Sequence, residues 1–212
     1  MKIFKTKERR LLFLVGLYIM GVLASNIMAG KFAGILGWSI PTGVFAFPIT
    51  FAVTDIINEI WGPEEATNTV YLGFTANIVF ILMIAFSVLL PPHELWGNQE
   101  AWVAVLGSVP RIAIAGLLTF LVSQNWDVWV YNKLKILTGG KHLWIRNNVS
   151  TLTSQLLDTA LFTILAFAGS MPLNLMLEIT FTQWAVKSIL AVVDTPFVYL
   201  GVNWLRKAEL ND

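Results

Sequence analysis

From its amino terminus the chain alternates long apolar runs with short polar breaks, and the runs are too long to be strands. A helix needs about 20 mostly apolar residues to cross roughly 30 Å of hydrocarbon. Six windows meet that requirement: Leu11 to Ala29, Pro41 to Trp61, Val70 to Leu90, Arg111 to Trp129, Ser150 to Ala168, and Leu175 to Leu205. Pro91 and Pro92 close the third, and the sixth is long enough to tilt. Between the third and fourth, Glu94 to Gly107 carries Trp96, Trp102, Val103 and Leu106 at helical spacing and is expected to lie flat on the outer membrane surface. Pro41, Gly43 and Pro48 predict an irregular or broken start to the second span, which is tolerated only where the backbone lines protein or a cavity. On the first helix Gly21, Ser25, Ala29 and Ala33 recur every four residues, which aligns them along one stripe. Such a stripe admits close approach of another helix, either from this chain or from a partner subunit.

Composition turns this pattern into a fold class. Of the 212 residues 56% are hydrophobic and 13% charged, against about a quarter charged in soluble domains. A soluble domain of that size still exposes about 30% of its unfolded surface, so water cannot accommodate this much apolar area. The sequence therefore reads as an all-α integral membrane protein, a single six-helix transmembrane domain over residues 1–212. Lys2, Lys5, Lys7, Arg9 and Arg10 before an apolar run resemble a signal peptide. That run continues to Ala29 and comparable segments follow, so it reads as a retained span. Cysteine is absent, which excludes disulfides and thiolate metal sites.

Orientation follows from the cations. Besides the five before the first span, Lys133, Lys135, Lys141 and Arg146 lie between the fourth and fifth, and Arg206 and Lys207 follow the sixth. All fall on one side if there are six spans, which places both termini in the cytoplasm. Trp38, Trp61, Trp126, Trp129, Trp144 and Trp204 flank the spans, as an interfacial belt requires.

Three cations, Lys31, Arg111 and Lys187, fall at or inside spans, as do Asp55, Glu59, Asp158 and Asp194. A charge at the centre of a spanning helix costs roughly 2.5 to 3.5 kcal/mol on insertion scales, so each is expected to face protein or water and find a partner. Structural ion pairing explains any one of them, but uncharged polar residues share the same faces. Thr151, Ser154, Gln155 and Asp158 are three and four apart, forming one polar face. Gln183, Lys187 and Asp194 share another, and Thr54, Asp55, Asn58 and Glu59 a third. Three polar faces imply a common space, suited to a neutral or cationic hydrogen-bonding solute anchored by carboxylates. Enzyme motifs are missing: Gly139-Gly140-Lys141 lacks the leading glycine and following hydroxyl of a phosphate loop, and His93 and His142 stand alone in loops. No cofactor, metal or nucleic acid is expected.

Residues Phe47-Pro48, Phe51, Thr54-Asp55, Glu59 and Gly62 resemble the signature of the queuosine precursor transporter family, also called the vitamin uptake transporter family. Further matches run in order: Ser123-Gln124, Asp127-Val128 and Leu134-Lys135; Arg146-Asn147-Asn148, Ser150-Thr151, Ser154-Gln155 and Asp158-Thr159; then Lys187, Asp194-Thr195-Pro196 and Tyr199. The resemblance covers about the last three quarters of the chain. It implies six helices in a bacterial or archaeal inner membrane, and an organisation similar to the substrate-binding subunits of energy-coupling-factor transporters. It also implies uptake of 7-cyano- or 7-aminomethyl-7-deazaguanine without an ATPase, facilitated or proton-coupled. For such a base, Asp158 or Asp194 would accept the donor edge, and Asp55 is a further substrate-binding candidate. Asn58, Gln124 and Gln155 would meet carbonyl and ring nitrogens, and Trp184 or Phe162 would stack. Lys187 would touch substrate or pair with an aspartate, and Lys31, Arg111 and Glu59 would gate or pair. The alternative is a binding subunit of a multi-component vitamin or nucleobase transporter, docked through the small-residue stripe. Self-association stays open.

Overall fold

A computed structural model describes residues 6–139 and 143–209. Lys2, Lys5, Gly140, Lys141 and His142 lie outside the described residues. So do the side chains of Gln124, Asp127, Val128, Lys135, Trp144, Arg146, Asn147, Asn148, Asp194, Thr195 and Lys207. The structure is 82% helical, which makes the all-α class plain. Seven α-helices are described: α1 Lys7–Met28, α2 Phe47–Trp61, α3 Pro63–Leu89, α4 Gln99–Leu106, α5 Val109–Leu137, α6 Leu143–Phe167 and α7 Leu173–Glu209. A short hairpin, β1 Phe32–Ile35 and β2 Trp38–Pro41, follows α1. Among the described residues, five segments are long and apolar enough to cross a membrane: Lys7–Met28, Thr42–Trp61, Pro63–Leu89, Gln99–Ser123 and Val149–Phe167. The fourth starts earlier than the sequence window because α4, with Trp102, Val103 and Leu106, leads into α5 after only Gly107 and Ser108. α7 is one continuous helix of 37 residues with Pro196 inside it and is not among the five.

The chain divides into two compact units, the first comprising Met1–Phe32, Pro41–Pro110 and Ile189–Asp212, the second Ala33–Ile40 and Arg111–Ser188. In the first, Thr6 caps α1 by accepting the Arg9 N–H at 3.4 Å. A 3-10 turn, Thr42–Ala46, precedes α2 and is the irregular start that Pro41, Gly43 and Pro48 announced. Pro48 then sits in the first helical turn, where a missing N–H leaves nothing unsatisfied. Leu14 of α1, Val53, Ile56 and Ile57 of α2, and Val202 and Leu205 of α7 form the apolar cluster of this unit.

The small-residue stripe is filled from within the same unit. A Cβ on Gly43 would fall 2.5 Å from the Ser25 carbonyl oxygen and 2.9 Å from the Ala29 Cβ, and one on Gly21 would fall 2.9 Å from Thr50 Cγ2. Glycine is needed here because the turn before α2 runs against α1 with no room for a side chain. The stripe is an internal seam at Gly21, Ser25 and Ala29.

α3 shows how this chain inverts the soluble pattern. Its buried residues are Thr69, Gly73, Asn77 and Ile81, four apart on one face. Leu72, Leu82, Met83, Phe86 and Leu89 are exposed. In water such a helix would turn its apolar side inward; in lipid the exposed side chains meet hydrocarbon and the buried face holds small or paired polar groups. Asn77 accepts from the Asn26 amide at 2.8 Å, which ties α1 to α3.

The second unit contains the hairpin, most of α5, all of α6 and the first half of α7. Leu36 and Gly37, with φ of 52° and 83°, supply the two left-handed residues of a tight two-residue connection. The Ser39 N–H donates to the Glu178 carboxylate at 2.9 Å, and Trp38 packs against Phe181 with ring centroids 6.5 Å apart. The sequence reading had no hairpin here. A bulky leucine in the left-handed position gives no turn signal, and what holds the strands lies 139 residues away at Glu178.

Candidate functional site

Within the second unit the inward faces of three helices are polar. α5 buries Thr119 and Ser123; α6 buries Ser150, Ser154, Thr159 and Thr163; α7 buries Thr182, Gln183 and Lys187. Most of the hydroxyls are satisfied by their own helix. Thr159 donates to the Gln155 carbonyl at 2.8 Å, Thr163 to that of Thr159 at 2.9 Å, and Ser123 reaches the Phe120 carbonyl at 3.2 Å. This bonding lets Ser and Thr sit inside a spanning bundle without a helix break.

The charged centre of the unit is Lys187 with Asp158. The Lys187 ammonium donates to Asp158 Oδ2 at 3.1 Å and approaches Thr159 Oγ1 at 3.5 Å. Its side chain is 7% exposed, that of Asp158 25%. Ser123 Oγ lies 3.4 Å from Asp158 Oδ1, a long contact that leaves this oxygen weakly engaged. A carboxylate has about four lone-pair sites, so Asp158 can accept further donors without releasing Lys187. Taking two charges out of water is costly unless geometry and extra hydrogen bonds compensate, and α5, α6 and α7 each contribute a partner here. The pairing of Lys187 with an aspartate, left open from the sequence, is therefore observed.

Other sequence-derived positions fall as follows. Gln155, on the Asp158 face of α6, is half-buried. Trp184 is half-buried and donates through Nε1 to the Leu152 carbonyl at 3.3 Å. Arg111 donates through Nε to the Leu165 carbonyl at 2.8 Å and through Nη2 to that of Ala168 at 2.6 Å. It thus caps the C-terminus of α6, where carbonyls lack helical partners and the helix dipole favours a cation. In the first unit Asp55, Asn58 and Glu59 are exposed on α2, and Glu59 pairs with Arg206. Lys31 is exposed, and its carbonyl accepts from the Thr42 N–H. Sequence reasoning put Gln183 on a polar face without giving it a role in the candidate site, and did not place Ser123 or Thr159 there. Thr159 lies four residues after Gln155 and Gln183 four before Lys187, so helical spacing offered both; Ser123 lies four after Thr119, a spacing that ties it to no other residue of the candidate site.

Helices apolar where exposed and polar where buried, with an ion pair held among them, define a multi-pass helical membrane protein. Residues 41–201 match the model of the family described as "Putative vitamin uptake transporter", and the chain belongs to that family. It is similar to the "Probable queuosine precursor transporter" of Bacillus subtilis, 32% identical over 199 residues, covering 92% of this chain and 87% of the relative. It is also similar to the "Queuosine precursor transporter" of Escherichia coli, 25% identical over 201 residues, covering 91% and 87%. The Haemophilus influenzae "Probable queuosine precursor transporter" is 30% identical over 128 residues, covering 60% and 52%. No solved structure matches the chain.

Proposed function

We propose that the chain is an inner-membrane uptake transporter for queuosine precursors, 7-cyano- or 7-aminomethyl-7-deazaguanine. In this reading it is one six-helix domain over residues 1–212, with α7 as the sixth span and both termini cytoplasmic. The observation that carries it is the pairing of buried Lys187 with half-buried Asp158 among the polar faces of α5, α6 and α7. A deazaguanine presents its ring N–H and exocyclic amine side by side, two donors that one carboxylate accepts together. Hydrogen bonds to an ionised acceptor are roughly twice as strong as neutral ones. Asp158, with Oδ1 held among the described residues by the long contact from Ser123, suits that role, while Lys187 balances its charge. Gln155 meets a polar ring atom and Trp184 offers a stacking face. The roles read from the sequence for Asp55, Asn58, Gln124 and Asp194, and the gating or pairing roles of Lys31, Arg111 and Glu59, are kept as part of the proposal.

The test is uptake of radiolabelled precursor by the purified chain in liposomes. Asp158→Asn keeps an acceptor for Lys187 but loses the charge, and it is expected to abolish uptake while the protein remains folded in the membrane. Full uptake by both Asp158→Asn and Asp194→Asn would remove these residues from the mechanism. Uptake by the chain alone distinguishes a self-sufficient carrier from a binding subunit, and collapsing the proton gradient separates coupled from facilitated transport.

A further inference from the structure

Gln183 precedes Lys187 by four residues on α7 and so shares its face. The residue is 3% exposed, and its amide nitrogen Nε2 has no hydrogen-bond partner among the described residues. Buried polar atoms in folded proteins are paired in the large majority of cases, and an unpaired one calls for a specific explanation. An amide nitrogen only donates, so the missing partner is an acceptor. Lys187, one turn on along the same face, is a second donor, and Asp158 is an acceptor that Lys187 holds. The complementary ligand edge carries a carbonyl oxygen next to an N–H: the oxygen faces Gln183 and the N–H faces Asp158. That is the lactam edge of an oxo base. An amino base puts its exocyclic N–H₂ where the carbonyl would be and sets donor against donor.

We infer that Gln183 reads the carbonyl oxygen of the carried base and so makes the site select oxo bases over amino bases; this rests on the proposal that the base binds at Asp158. Sites built around a buried hydrogen bond reject a mismatched partner strongly because both groups are left unpaired.

The experiment measures uptake of tritiated 7-deazaguanine into phosphatidylethanolamine–phosphatidylglycerol vesicles carrying the full chain, with 7-deazaadenine as competitor. Wild type is expected to take up the oxo base and to be little inhibited by the amino base at about tenfold excess. Gln183→Leu is expected to raise KM for 7-deazaguanine about tenfold with little change in maximal rate per folded carrier. Gln183→Glu, which replaces donors by acceptors at this one position, is expected to narrow the preference for 7-deazaguanine over 7-deazaadenine; Asp158 keeps the rest of it, because the ring nitrogen of the amino base has no N–H to offer a carboxylate. Wild-type KM and wild-type preference in both variants would overturn the inference. A glutamine that merely supports the fold changes the amount of working carrier, not the preference, which is a ratio within one set of vesicles. Should Gln183→Glu yield no protein, Gln183→Met, of similar shape but without the amide, is read by the same ratio and is expected to lose part of the preference. Wild-type vesicles that take up no base refute the transport proposal; the preference of solubilised protein in ligand binding then decides the role of Gln183, and absence of binding as well overturns both.

Discussion

At Lys187 the side chain depends on its partner more than the partner depends on it. The ammonium is nearly enclosed, whereas the Asp158 carboxylate keeps a quarter of its surface exposed. Breaking a buried ion pair from one side strands the other charge, at about 3–5 kcal/mol in well-enclosed sites. Asp158→Leu is therefore expected to destabilise the protein more than Lys187→Met, because it takes the Asp158 carboxylate from the less exposed of the two charges. The double variant should recover much of the loss. Thermal melting of the four proteins in one detergent checks this, and equal single effects that simply add would show that the two groups do not support one another.

At the scale of elements, the seam between α1 and the turn before α2 is set by volume. Gly43→Ala puts a methyl group against the Ser25 carbonyl, a backbone atom that cannot swing away. Overpacking of this kind costs about 1–3 kcal/mol, read as a lower melting temperature. Gly16→Ala, where the added carbon meets nothing within 4 Å beyond its own stretch of helix, is the control, expected to leave the melting temperature unchanged or slightly raised. The helices themselves were legible in the sequence, since apolar length alone marks them: Leu11 to Ala29 became Lys7–Met28, and Val70 to Leu90 became Pro63–Leu89. The two or so added turns of α3 begin at Pro63, a residue preadapted to a helix start. The polar faces around Asp158 and Lys187 were legible too, because three- and four-residue spacing shows which residues share a side. Spacing could not say which face meets which, so the contacts of Lys187 with Asp158, and of Arg111 with the end of α6, appear only in three dimensions. The hairpin at Phe32–Pro41 was hidden for the same reason: its anchors, Glu178 and Phe181, are remote in sequence.

For the whole molecule the absence of cysteine is an experimental advantage, because any cysteine introduced is the only one. The distribution of lysine and arginine predicts that position 6, before α1, and position 133, near the end of α5, face the cytoplasm, while position 97, between α3 and α4, faces outward. With a membrane-impermeant maleimide, Gly97→Cys should be labelled in intact cells, and Thr6→Cys and Lys133→Cys only after the membrane is opened. The reverse pattern would invert the orientation, and labelling of Thr6→Cys and Lys133→Cys from opposite sides would rule out an even number of spans between them.

α3, with Thr69, Gly73 and Asn77 on its hidden side and leucine, methionine and phenylalanine on its outer side, also predicts how this protein tolerates mutation. Exchanging one greasy residue for another on the outer side should pass unnoticed, since the surrounding acyl chains reshape around it. Enlarging the hidden side should not, because the neighbouring helix cannot. A saturation screen of residues 69–86 should therefore show sensitivity repeating every turn, strongest at the smallest residues, where a screen of a water-soluble helix would find it at the largest.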